Sequence, residues 1–149
     1  MNRGGKDTLV ALLVVVDDET YAIPCEDVLE VVPLPMLVPV PGAPASLEGT
    51  FSFRGEIVPV VDLGRALGRG PSATRLSARV VIVRTPRGLL GAHVARVSDV
   101  KRIAAPSRSI DVPRAPVLAE TTTDDGRPIH LLALDRSLPS ELDGLVGRA

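Results

Sequence analysis

The stretch from Gly49 to Gly68, GTFSFRGEIVPVVDLGRALG, leaves the backbone few choices. Phe51 and Phe53 stand two residues apart, the spacing of side chains on one face of a strand. Arg54-Gly55 follows, and a two-residue connection with a glycine able to take positive φ reads as a hairpin turn. The return run Ile57-Val58-Pro59-Val60-Val61 is β-branched and almost unbroken, which suits a strand buried on both faces. Pro59 has no N–H to give, so it demands an edge or a bulge. Asp62 is placed to cap a short helix over Leu63 to Leu67, and Gly68 to end it. Gly55 is thus a turn position, and Arg54 is a cation at the hairpin tip.

The rest of the chain reads as further short strands. Leu9 to Val16 is a buried strand, Asp17-Asp18-Glu19-Thr20 a turn, and Tyr21-Ala22-Ile23 the returning strand. Pro24 fits the first position of a helix with Glu26 and Asp27 in its first turn. Val28, Val31 and Val32 then form an apolar stripe beside Glu30, and the helix stops before Pro33. Prolines punctuate Pro33 to Pro44, leaving Leu37 to Val40 as a short edge strand. Arg69 to Arg79 reads as a mobile polar loop with solvated basic side chains. Val80 to Val83 and Leu89 to Val94 pair around Pro86-Arg87-Gly88, and Val97-Ser98-Asp99-Val100 is extended. A proline-bearing loop, Pro106 to Pro116, precedes a last hairpin, Val117 to Thr123 and Ile129 to Leu134, turned by Asp124-Asp125-Gly126. A weak helix begins at Asp135. The core is expected to contain Val14, Ile23, Val28, Val60, Leu63, Ile82, Val94 and Leu132.

An internal echo shapes the fold expectation. Val58 to Leu67 aligns with Ile129 to Leu138 at the apolar positions, and the same offset places Arg54-Gly55 on Asp125-Gly126. Two copies of turn, strand and short helix predict a mainly β chain built as two small barrels side by side.

Charge and composition exclude several functions. The net charge is −1, from 17 basic and 18 acidic residues, which gives no field to steer the chain toward nucleic acid or an anionic membrane. Tyr21, Phe51 and Phe53 are too few aromatics for a base-stacking or sugar-binding platform. Cys25 is the one cysteine, so no intrachain disulfide forms and a reducing cytoplasm fits. The apolar run Leu9 to Val16 is too short to span a bilayer and lacks a signal-peptide pattern.

No catalytic constellation emerges either. Cys25 has no histidine near it in sequence to act as a base, although His93 or His130 could approach it in space. Each histidine sits in an apolar run and is expected on the solvent side of a strand. Two histidines without clustered acids or cysteines make a poor metal site. Asp62 and Asp135 follow strands and read as helix caps in preference to paired acids. The expectation is a binding module with no metal and no cofactor.

At this point the sequence resembles the CheW family of bacterial chemotaxis coupling proteins, over residues 9 to 138. The match rests on Tyr21-Ala22-Ile23, Val28-Leu29-Glu30-Val31, Leu47-Glu48-Gly49, Phe53-Arg54-Gly55, Ile57 to Leu63, Leu90-Gly91 and Val97-Ser98-Asp99-Val100. Residues 1–8 are then expected as a disordered tail and 139–149 as a short C-terminal tail. The resemblance implies two SH3-like five-stranded β-barrels. It also implies a non-catalytic adaptor joining the cytoplasmic tip of a chemoreceptor to the histidine kinase CheA, in the cytoplasm at receptor arrays, with no membrane insertion. Carried over by motif, the receptor contacts fall on Val28, Glu30 and Arg54, with Val80 and Gly91. Asp62, Ser98 and Asp99 join Gly49 and Gly55 as structural positions. Ser52 stands where the family often has asparagine, and the kinase contact is assigned to no residue. The alternatives are an SH3-like binding module in another signalling complex and a hydrolase centred on Cys25.

Overall fold

The computed structural model describes residues 8–106, 108–110 and 118–134. The strands are β1 (Thr8–Val16), β2 (Glu19–Pro24), β3 (Val28–Pro33), β4 (Leu47–Phe53), β5 (Glu56–Asp62), β6 (Arg79–Thr85) and β7 (Gly88–Val94). They continue as β8 (Arg96–Ala104), β9 (Arg108–Ile110), β10 (Leu118–Asp124) and β11 (Arg127–Ala133), and α1 (Leu63–Ala66) follows β5. One sheet has the order β3-β6-β7-β5-β4 and the other β8-β1-β2-β11-β10-β9. The second carries a three-residue sixth strand, β9, beyond the five expected.

The two sheets repeat one plan, as the echo predicted. In each, a hairpin adds in parallel to the end strand of a three-stranded antiparallel set: β5 beside β7, and β11 beside β2. The hairpin turns match in conformation, with φ of 51° and 83° at Arg54-Gly55 and 52° and 81° at Asp125-Gly126. Pro59 is accommodated by register. Thr50 exchanges both backbone hydrogen bonds with Val38 on the outer side of β4, so the nitrogen of its partner Pro59 points away from β4. There β5 joins β7 only from Val60 onward.

Alternation along the strands sorts the side chains into three clusters. Val58, Val60, Val80, Ile82 and Leu89 fill the first barrel, and Ala11, Leu13, Ala22, Ile103, Ile129 and Leu131 fill the second. The opposite faces, including Val14, Val16, Ile23, Val61, Val81, Leu90 and Leu132, meet between the barrels as a shared core. Central strands are therefore buried on both sides, which is why they read as unbroken apolar runs. Every expected core residue is buried except Val28, which is half-buried against the shared core.

The helix expected after Pro24 does not form. A single 3-10 turn over Cys25–Asp27 leads directly into β3. A bulge between Val28 and Glu30 inserts Leu29 into the ladder with β6, and this extra residue puts Val28 and Val31 on one face, with Leu29 and Val32 on the other. The i, i+3 spacing that mimics a helical stripe is thus an alternating strand with one residue added. β-branched valines, stiff at χ1, favour that outcome.

Leu37 to Val40 contributes only a bridge, Val38 to Thr50, which closes the first barrel over the outer edge of β4. The Arg69 to Arg79 segment is irregular but anchored: Ser72 is buried, and Arg69 pairs with Asp17 and Glu19 at 3.3 and 3.7 Å. Thr8, expected at the end of a disordered tail, instead opens β1 opposite Ala104; the rest of the expected tails, the helix from Asp135 and most of the Pro106 to Pro116 loop lie outside the described residues.

Candidate functional site

The tip of the β4–β5 hairpin is where sequence-selected residues converge. Both turn residues have positive φ, the two-residue geometry that favours Asn-Gly or Asp-Gly. The sister hairpin uses Asp125-Gly126, whereas this one carries Arg54, a residue with a Cβ and no short polar group to bond its own backbone, which the left-handed region disfavours. Two contacts hold it there. The guanidinium lies 4.7 Å from the centroid of the Phe53 ring, and its Nη2 donates to Glu30 Oε1 at 2.7 Å. Phe51 meets Phe53 edge-on at 6.5 Å, so the ring under the cation is itself braced. Barrel closure brings Glu30 on β3 beside the tip of a hairpin 24 residues further on. With side-chain exposures of 67% for Arg54 and 38% for Glu30, the pair is open to a partner and contributes little to folding.

The remaining candidates divide between surface and interior. Val28 is half-buried on β3. Val80 is fully buried, and Gly91 is packed so closely that an added Cβ would stand 2.7 Å from Val80 Cγ1. These two lie inside the first barrel, out of reach of any direct partner contact. Gly49 is required because a Cβ there would stand 2.6 Å from the Val38 carbonyl oxygen, at a φ of 157°. Ser98 is the extra residue of a bulge in β8, with its hydroxyl donating to the Leu13 carbonyl at 3.3 Å. Exposed Asp99 accepts from the Val100 amide at 2.8 Å.

Asp62 caps α1 as expected, accepting from the Arg65 amide at 3.3 Å. It also receives the Ser72 amide on both oxygens, at 3.0 and 3.1 Å. The Ser72 hydroxyl accepts from the Gly64 amide at 3.0 Å and donates to the His93 carbonyl at 3.3 Å. His93 corrects an expectation: it is fully buried on β7, not on the solvent side, while His130 on β11 is exposed. Its Nδ1 meets Glu48 Oε1 and its Nε2 the Ala73 carbonyl at 2.9 Å. Glu48 reaches it because a bulge between Leu47 and Gly49 makes it the extra residue of β4. Glu48, Asp62 and His93 each bring a polar side-chain atom to within 4.8 Å of the others, a clustering that their spacing in sequence concealed.

Catalytic and ligand sites find little support elsewhere among the described residues. Burial raises the Cys25 thiol above its ordinary pKa, the opposite of what a nucleophile needs. A cleft of about 150 Å³ between the lobes, lined by Ile23, Val83, Leu132 and Leu134, is below the usual range for small-molecule sites, about 300–1,000 Å³. A larger groove of about 520 Å³ is lined mainly by polar and charged residues such as Asp18, Glu19, Asp99, Lys101 and Asp124, unlike the predominantly apolar lining of such sites. No described helix is long and apolar enough to cross a membrane.

Two barrels sharing one core, with a charged and braced hairpin tip, are the frame in which the relatives of this chain can be compared. The CheW-like domain family matches residues 10–142, and the chain belongs to that family. It is 33% identical over 119 residues to Protein FrzA of Myxococcus xanthus, covering 80% of this chain and 69% of that protein. It is 26% identical over 147 residues to the chemotaxis protein CheW of Rhizobium meliloti, covering 95% and 92%. The crystal structure of the scaffolding protein TtCheW from Thermoanaerobacter tengcongensis superposes with a TM-score of 0.73 over 90% of each chain at 24% identity. That likeness establishes the paired SH3-like barrels expected from the sequence.

Proposed function

We propose that this CheW-like chain is a non-catalytic scaffold of bacterial chemotaxis that couples the cytoplasmic tip of a chemoreceptor to the kinase CheA. It works in the cytoplasm at membrane-associated receptor arrays, without nucleic acid and without inserting into the membrane. Family membership and the relatives named CheW support the scaffold reading. The single observation that carries the receptor surface is Arg54, held in a conformation its side chain disfavours by Glu30 and Phe53. Unfavourable backbone at an exposed turn points toward use by a partner. Arg54 and Glu30 present the contact with Val28 on the same strand as Glu30, while Val80 and Gly91 support it from inside.

Two variants separate function from stability. Arg54→Asn supplies a residue that suits the turn, offsetting the lost ring and ion-pair contacts, and Arg54→Ala removes them alone. Both are expected to unfold within about 1 kcal/mol of the parent, since surface changes are usually small. Both should lose co-sedimentation with receptor-bearing membranes more than tenfold, a loss that about 1.4 kcal/mol produces. Arg54→Lys should restore binding only in part, keeping charge but not the planar donor fork. Parental affinity in Arg54→Asn would remove the tip from the interface.

A further inference from the structure

At the opposite end of β4 from the Arg54 tip, a buried polar cluster joins three segments of the first barrel. Glu48 comes from the bulge of β4, His93 from the interior of β7, and Ser72 and Ala73 from the loop after α1. We propose that His93 is a buried imidazolium lock that fastens the start of β4 and the loop after α1 to β7, and that loss of one proton releases the β4 side.

The geometry sets the protonation. A backbone carbonyl only accepts, so the 2.9 Å contact to Ala73 requires a hydrogen on Nε2. The Glu48 contact needs one hydrogen shared between Nδ1 and the carboxyl group, and with Glu48 ionised that hydrogen sits on Nδ1. The charged groups facing the ring are Glu48 from β4 and Asp62 from the end of β5, with Arg65 of α1 behind Asp62 at 3.7 Å. The loop contributes only neutral groups, Ser72 and the Ala73 carbonyl. Burial pushes the imidazole pKa down, but the Glu48 hydrogen bond and charge, the Ala73 carbonyl and Asp62 together hold it above the ordinary histidine value. A cation other than the proton finds the donors already engaged, because Nδ1 is turned to Glu48 and both Asp62 oxygens accept backbone amides.

A histidine with a raised folded-state pKa stabilises most below its unfolded value of about 6.5. The contribution is lost as pH climbs through the folded value. The proton leaves Nδ1, because Nε2 keeps its hydrogen on the Ala73 carbonyl. A lone pair then faces the Glu48 carboxylate, which is 24% exposed and turns out to solvent, uncoupling β4 from β7 while the loop stays attached.

Ring ¹⁵N spectra of the intact chain across pH test this. Both His93 nitrogens should carry hydrogen below a titration midpoint that lies above the ordinary histidine value of about 6.5, and the neutral form should be protonated at Nε2. Glu48→Gln, at a partly exposed position, should fold and drop the His93 midpoint below the parent's. Its loss of stability relative to the parent should fade as pH rises through the parent's His93 midpoint. A midpoint at or below about 6.5, an unchanged midpoint in Glu48→Gln, or His93 signals that answer added zinc in place of a proton titration would each overturn the lock.

Discussion

At Gly91 the effect of one methyl group can be read from distances. A Cβ there would stand 2.7 Å from Val80 Cγ1 and 3.2 Å from Val60 Cγ2, in a barrel where both valines are fully buried. Overpacking of this kind costs about 1–3 kcal/mol, so Gly91→Ala should lower the urea midpoint without changing the slope. Val80→Ala removes the obstructing methyls, and the double variant should recover part of the loss as a favourable coupling. Strict additivity in that cycle would mean that the two side chains do not meet. The residue scale is also where sequence reading served unevenly. Arg54, Gly55 and Asp62 were legible because turn and cap chemistry is local. His93 was not, because its partners Glu48 and Ala73 lie 45 and 20 residues away and an isolated histidine in an apolar run carries no mark of them.

Among elements, the four-residue α1 is too short to persist alone. Asp62 and Ser72 tie it to the loop that follows and to β7. Ser72→Ala leaves the buried Gly64 amide without its acceptor, at a cost of about 1–3 kcal/mol. Hydrogen exchange should then quicken at Gly64 and through the Arg69 to Arg79 segment while β1 and β2 stay protected; unchanged exchange at Gly64 would contradict the bond. The hairpins were legible element by element, since strand alternation and Gly-containing turns specify them without help from the rest of the chain. β3 was misread as helix because a bulge is a property of two paired strands, and the sequence of one strand shows only the resulting i, i+3 spacing.

On the scale of the whole molecule, the shared core makes the barrels one cooperative unit. Ile23, 1% exposed, packs in that core beside residues from both sheets. Truncation to alanine should cost about 2–5 kcal/mol and shift a single calorimetric transition, with calorimetric and van't Hoff enthalpies still equal. Two separated transitions would show independent barrels. The paired-barrel plan was visible in the echo of Val58 to Leu67 in Ile129 to Leu138, although which strands share a sheet was not. That exchange, with β1 and β2 seated between β8 and β11, carries a consequence for synthesis. β3 to β7 contain every strand of the first barrel and have all emerged from the ribosome once Val94 has, but the face they give to the shared core, with Val61, Val81 and Leu90, still lacks Leu132 and Leu134. The β1–β2 hairpin is made before them, but its parallel neighbour β11 follows roughly 100 residues later, an interval of about 5–20 s at ordinary elongation rates. Nascent chains stalled with Val94 just outside the ribosome should therefore stay open to protease throughout, with protection appearing only once β11 has emerged, and a resistant β3 to β7 at the earlier stall would show a barrel that stands alone.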